Sequence, residues 1–150
     1  MRIMVSACLL GENCKYNGGN NQNPKLLQML SGHTVIPICP EVMGGLPTPR
    51  PPAEIVKGEV INREGVSVDA EFREGANRAL KKARQERPEL IILQSRSPSC
   101  GVKEIYDGKF SGRLISGHGV FAGLAQENGF PVMDVEDYLS SGRGELRDEC

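Results

Sequence analysis

The sequence is poor in aromatic residues: no tryptophan, three tyrosines and four phenylalanines in 150 residues. A core must therefore be built mainly from aliphatic side chains. No apolar run approaches the ~18 residues of a membrane-spanning helix, so no membrane partner is expected. Charge of one sign is missing as well, since 18 Lys and Arg stand against 19 Asp and Glu. Without a basic surplus, tight binding to nucleic acid by counterion release is not expected. Histidine occurs only twice, at His33 and His118. The start, MRIMVSACLL, runs into GENCKYNGGNNQN with no small-residue cleavage site and reads as the first strand of a cytoplasmic protein.

Glycine, proline and cysteine are plentiful instead. Eighteen glycines and ten prolines cluster beside five cysteines, at 8, 14, 39, 100 and 150. An odd number of cysteines without an export signal points to reduced thiols, and hence to metal ligands or nucleophiles rather than a disulfide framework. At this length one α/β domain spanning 1–150 is expected.

Periodicity gives the elements. Residues 2–7 read as a buried strand and 25–30 as a short helix begun at Pro24; 33–38 reads as a strand whose Pro37 marks an edge. Residues 40–54 hold too many prolines for helix or strand and are expected to form an ordered loop. A hairpin follows, turning at Lys57-Gly58. Residues 69–87 form an amphipathic helix with Asp69 as its expected N-cap and Pro88 as its stop. The stretch 89–94, ELIILQ, is a buried strand, 119–128 a helix closed by Gly129, and a strand from Pro131 leads to a short acidic helix. Strands alternating with helices predict a mostly parallel sheet flanked by helices, a Rossmann-like three-layer arrangement.

In that arrangement Cys8, Cys39 and Cys100 each follow a strand, at the carboxyl edge where open parallel sheets bind ligands. Any one of them alone would most often be a buried core residue. Three together could hold zinc or an iron–sulfur cluster, although neither a pair of CxxC knuckles nor the compact ferredoxin run is present. A zinc-stabilised or cluster-carrying binding protein without turnover is the alternative to an enzyme. Other groups gather on the same edge. Glu41 could be a general base or a partner of Arg50 in a salt bridge. Ser97 and Ser99 could cap a turn or meet a substrate. Arg50 and Arg96 could bind an anion, and His118, in a Gly-His-Gly turn at a helix start, could cap that helix or approach an anion. No phosphate-binding or dinucleotide fingerprint is present.

The segments VSACLLGENCKYNGG (5–19), CPEVMGGLPTPRPPAEI (39–55), SRSPSCGVKEIYDGKFSG (95–112) and GHGVFAGL (117–124) together resemble the thiouracil desulfidase family over nearly the whole chain to about Asp137. The resemblance implies a four-iron four-sulfur cluster held by Cys8, Cys39 and Cys100, with one iron not bound by protein. It implies Glu41 as the base that activates water and Ser97 as the residue that hydrogen-bonds substrate or relays a proton. Sulfur would leave as sulfide in a non-redox reaction. The implied substrate is a small thiopyrimidine base, nucleoside or nucleotide, such as thiouracil or a 4-thiouridine compound, with Ser99, Arg50, Arg96 and His118 as substrate-binding candidates. Cys14 matches a further family cysteine, an alternative ligand or a neighbouring thiol, and Cys150 has no assigned role.

Overall fold

A computed structural model describes residues 1–141, so Cys150 lies outside the described residues. Four strands form a parallel sheet in the order β2 (Thr34–Ile38), β1 (Arg2–Ser6), β5 (Leu90–Leu93), β8 (Val132–Asp134). Side chains alternate along these strands and bury on both faces. Ile3, Val5 and Ile92 join Leu26 and Leu30 beside helix α1 (Pro24–Met29), together with Val135 and Tyr138 of α5 (Val135–Ser140). Met4, Ile91 and Leu93 face Ala76, Ala79 and Ala83 of α3 (Asp69–Glu86) and Phe121, Ala122 and Ala125 of α4 (Val120–Glu127). Small alanines on the helices let them lie close to the branched strand residues. The three-layer expectation is met, and no described helix is long and apolar enough to cross a membrane.

Pro37 sits on β2, an edge strand, where its missing N–H costs no ladder bond. From β1 the chain runs outward to β2 on one side, whereas β5 lies on the other. The sheet therefore has its switch point between the carboxyl ends of β1 and β5, where a crevice opens.

Two antiparallel hairpins stand outside this sheet: β3 (Ala53–Val56) with β4 (Glu59–Asn62), and β6 (Glu104–Tyr106) with β7 (Leu114–Ser116). The first turns at Lys57-Gly58, with φ of 50° and 82°, the paired positive φ that a two-residue hairpin turn needs.

Two expectations need correction. Residues 40–54 are not all loop, because Pro40–Met43 form a short helix, α2, and Ala53 and Glu54 already belong to β3. Pro40 occupies the first helical position, where its ring preorganises φ and its lacking N–H is not needed. The turn is fixed by long-range packing: a Cβ on Gly44 would land on the carbonyl oxygen of Glu71, and one on Gly75 would land on that of Pro40. Helices α2 and α3 thus touch backbone to backbone. Asp69 is not the N-cap of α3, a place taken by Val68. Its carboxylate accepts the Val60 N–H at 3.0 Å, which pins the helix start to β4.

Candidate active site

A cavity of about 640 Å³ opens at the switch point, a size that suits a small organic molecule. Its floor comes from the strand ends and its far wall from the two hairpins. Cys8 lies in a single 3-10 turn after β1, Cys39 caps α2 after β2, and Cys100 ends the loop after β5, so residues far apart in sequence share one cavity. Cys14, from the loop after that turn, joins them. All four cysteines are free thiols.

The thiols influence one another. Cys39 donates a hydrogen bond to Cys14, which favours the Cys14 thiolate. The bond from Cys14 to Cys8, together with burial, outweighs it and pushes the Cys14 thiol up to about 11. Cys39, donating to Cys14 and buried, is raised much further. Burial pushes Cys100 up to about 12, against the opposing hydrogen bonds of Ser6 and Ser99. Thiols this reluctant to ionise become thiolates when a positive centre replaces their protons.

Among the described residues no three His, Cys, Asp or Glu side chains stand at the spacing of ligands to a single ion. Zinc with its sulfurs ~2.3 Å away would need such a group. A cluster, whose cysteines bind different irons, spreads its thiols further apart. Cys8, Cys39 and Cys100 line one cavity from three different strand ends, and three thiols are a donor set that fits a cluster.

Glu41 stands in the first turn of α2 and is held by both oxygens. Arg50 Nε donates to Oε1 at 3.1 Å, and Ser99 Oγ donates to Oε2 at 2.8 Å. Ser97 Oγ is 3.5 Å from Oε2 and 2.9 Å from Ser99 Oγ. It also accepts the N–H groups of Ser99 at 3.1 Å and Cys100 at 3.0 Å. With the Ser99 proton given to Glu41, the Ser97 hydroxyl has two acceptors in reach, Ser99 Oγ and Glu41 Oε2, so both serines surround the same carboxylate oxygen.

The β5 loop is fixed from below. Ser95 Oγ donates to Asp134 Oδ1 at 2.9 Å, and the same oxygen accepts the Glu136 N–H at 2.7 Å at the start of α5. From above, the carbonyls of Pro98 and Ser99 accept the first N–H groups of α4. That helix start is thus capped by the loop carrying Cys100.

The candidate substrate contacts divide. Ser99 and Arg96 line the cavity, the latter paired with Glu136 at 3.1 Å. Arg50 also reaches it, but its side chain is only 6% exposed and its guanidinium makes four hydrogen bonds, to Glu41, the Pro47 and Cys14 carbonyls and the Thr48 hydroxyl. His118 is not brought to this cavity. Its exposed ring lies against Gly123, beside a smaller hollow near Arg73 and Asn77, and the N–H groups it stood before are already taken. Reasoning from sequence passed over the hairpin wall, including Glu54, Arg63, Tyr106 and Phe110. The signal was present: Asp107-Gly108 and Gly112 punctuate the stretch between two short β-like runs.

The sequence model of the 2-thiouracil desulfurase family matches residues 3–137. A protein of Bacillus subtilis (strain 168), YbbK, described as uncharacterised, is 37% identical over 145 residues, covering 90% of this chain and 96% of its own. A solved structure described as the [4Fe-4S]-dependent thiouracil desulfidase TudS superposes with a TM-score of 0.87 at 39% identity, over 97% of each chain.

Proposed function

Because the chain belongs to the 2-thiouracil desulfurase family, we propose that it removes sulfur from thiouracil and related thiolated pyrimidines, turning C=S into C=O with release of sulfide. One observation carries this reading: a carboxylate fixed at both oxygens faces a cavity that it shares with three strand-end thiols. The 1–150 chain is read as one such domain. Its reduced thiols fit a reducing compartment such as the cytoplasm.

Cys8, Cys39 and Cys100 would hold a four-iron four-sulfur cluster, whose iron lacking a protein ligand supplies a Lewis acid for the thiocarbonyl sulfur. The remaining work belongs to side chains of this chain. Glu41 takes a proton from water, and the oxygen attacks the carbon that bears sulfur. A carboxylate offers about four lone-pair sites, so the bonds from Arg50 and Ser99 leave room for that water. Ser97, acting through Ser99, holds the carboxylate for this transfer, and Glu41 returns the proton to the departing sulfur. Water and C=S yield C=O and hydrogen sulfide, with no change of oxidation state.

Lys15 and Arg63 carry positive charge on the walls of the cavity, and Arg96 lines it too. Together these support a 4-thiouridine nucleotide as a substrate alongside the base. Arg50, which an anion cannot reach without displacing Glu41, is not its phosphate contact.

Anaerobically purified protein should contain iron and acid-labile sulfide, and should convert thiouracil to uracil with stoichiometric sulfide. Glu41→Gln should cut turnover by about 100-fold or more at unchanged iron content. A loaded protein that releases no sulfide from any thiopyrimidine would refute the reading.

A further inference from the structure

The β6–β7 hairpin contributes nothing to the parallel sheet, and none of the chemistry above uses it. Its tip is nevertheless fastened firmly. Glu54 Oε1, on β3, accepts the N–H of Gly108 at 3.0 Å and of Phe110 at 3.1 Å. Asp107 accepts the Lys109 N–H at 2.9 Å, and the Asp107 N–H reaches the Arg113 carbonyl at 2.9 Å. Gly108, at φ +89°, lies so close to β3 that a Cβ would stand 2.6 Å from the Ile55 carbonyl oxygen. The tip is therefore seated on the neighbouring hairpin and cannot slide.

What this seating presents is Phe110. Its φ of +55° lies in the left-handed region that a bulky L-residue rarely adopts, so the surroundings must impose it. The ring takes no part in the three buried apolar clusters. It lines the active-site cavity, half-buried, on the same wall as Glu54 and Tyr106. The Arg63 guanidinium lies over it, 5.9 Å from the ring centroid, within cation–π range. In a chain with only seven aromatic residues, one is placed in unfavourable backbone, outside the core, facing the cavity.

We infer that Phe110 is a substrate-contact residue whose ring provides the flat apolar surface for the thiolated pyrimidine, and that Glu54 is its positioning residue. With Arg63 over one face of the ring, a planar ligand would stack on the opposite face. The inference rests on the desulfidase reading for the identity of that ligand. A base stacked on an aromatic ring is held without selection for its exocyclic atoms, which suits a site that must bind the ring whether the sulfur stands at one carbon or another.

Steady-state kinetics and uracil binding on the cluster-loaded enzyme test it. Phe110→Ala should raise KM for thiouracil and the Kd for uracil together by about 10- to 100-fold, with kcat changed much less. Phe110→Tyr should restore both, and Phe110→Leu only in part, since it keeps apolar area and loses the ring face. Glu54→Ala should reproduce the KM rise, and Glu54→Gln, whose amide oxygen still accepts both N–H groups, should rescue it. Iron content and the cluster spectrum should match wild type throughout. Unchanged KM and uracil affinity in Phe110→Ala would overturn the inference. Wild-type protein that binds thiouracil without turnover would refute only the desulfidase reading, because the binding comparison still decides the role of Phe110. Wild-type protein that binds neither compound would overturn both.

Discussion

Arg50 Nε lies 3.1 Å from Glu41 Oε1, and the two side chains are only 6% and 15% exposed. The same guanidinium donates through Nη2 to the Cys14 carbonyl at 2.8 Å, while the Arg50 backbone N–H reaches the Tyr16 carbonyl at 2.7 Å. One residue therefore ties the carboxylate of α2 to the loop that carries Cys14. At this low exposure the pair is poorly screened, and loss of one partner leaves the other charge without compensation.

Arg50→Gln should accordingly lower stability by about 3 kcal/mol in urea unfolding and reduce kcat by about 10-fold or more as Glu41 loses its orientation. KM should move little, because the Arg50 guanidinium is already engaged by Glu41, Thr48 and two backbone carbonyls. Arg50→Lys should fail to rescue, since an ammonium cannot span Glu41, the Thr48 hydroxyl and two carbonyls at once. The opposite pattern, a raised KM for a phosphorylated substrate at constant kcat, would return Arg50 to the phosphate-binding role suggested by its charge.

The two serines separate by the same kind of kinetic test. Ser99 Oγ touches the carboxylate at 2.8 Å and is buried. Ser97 Oγ holds two backbone N–H groups of the turn that places Cys100. Ser99→Ala should reduce kcat by about 10- to 100-fold with the cluster retained. Ser97→Ala should reduce kcat as well, and in addition cost about 1–2 kcal/mol and lower iron content, because the turn loses its acceptor. Equal iron content in the two variants would show that Ser97 has no part in holding Cys100.

The parallel sheet, the long amphipathic helix over Asp69–Glu86 and the strand Leu90–Leu93 were legible because each follows from local period and burial. The convergence of Cys8, Cys39 and Cys100 was legible for a related reason, since strand ends in a parallel sheet share an edge. Helix α2 was not, because Gly75 reads locally as a defect in a helix. Only the close approach of Pro40 and Gly44 shows what the missing side chain permits. The pairing of Arg50 with Glu41 was legible only as one of two alternatives. Charge predicts attraction to an anion, but whether that anion is a ligand or Glu41 depends on loop geometry. Phe110 carried even less signal, as its importance lies in a backbone angle and in a carboxylate more than fifty residues away.

The unequal standing of the four thiols yields the last prediction. Cys8, Cys39 and Cys100 are fixed by strand ends, whereas Cys14 sits in a loop held to the site through its carbonyl bond with Arg50. Cys8→Ser, Cys39→Ser and Cys100→Ser should each lose most of the cluster iron, and Cys14→Ser should keep it. Burial pushes Cys100 up to about 12 and Cys39 is raised further, so these two thiols hold their protons at neutral pH until a positive centre replaces them. Loading then releases them, and affinity for the cluster should rise with pH, about tenfold per unit for each proton released. A chelator should therefore strip iron faster at about pH 6.5 than at about pH 8. Iron loss from Cys14→Ser equal to that of the other three variants would make Cys14 a ligand.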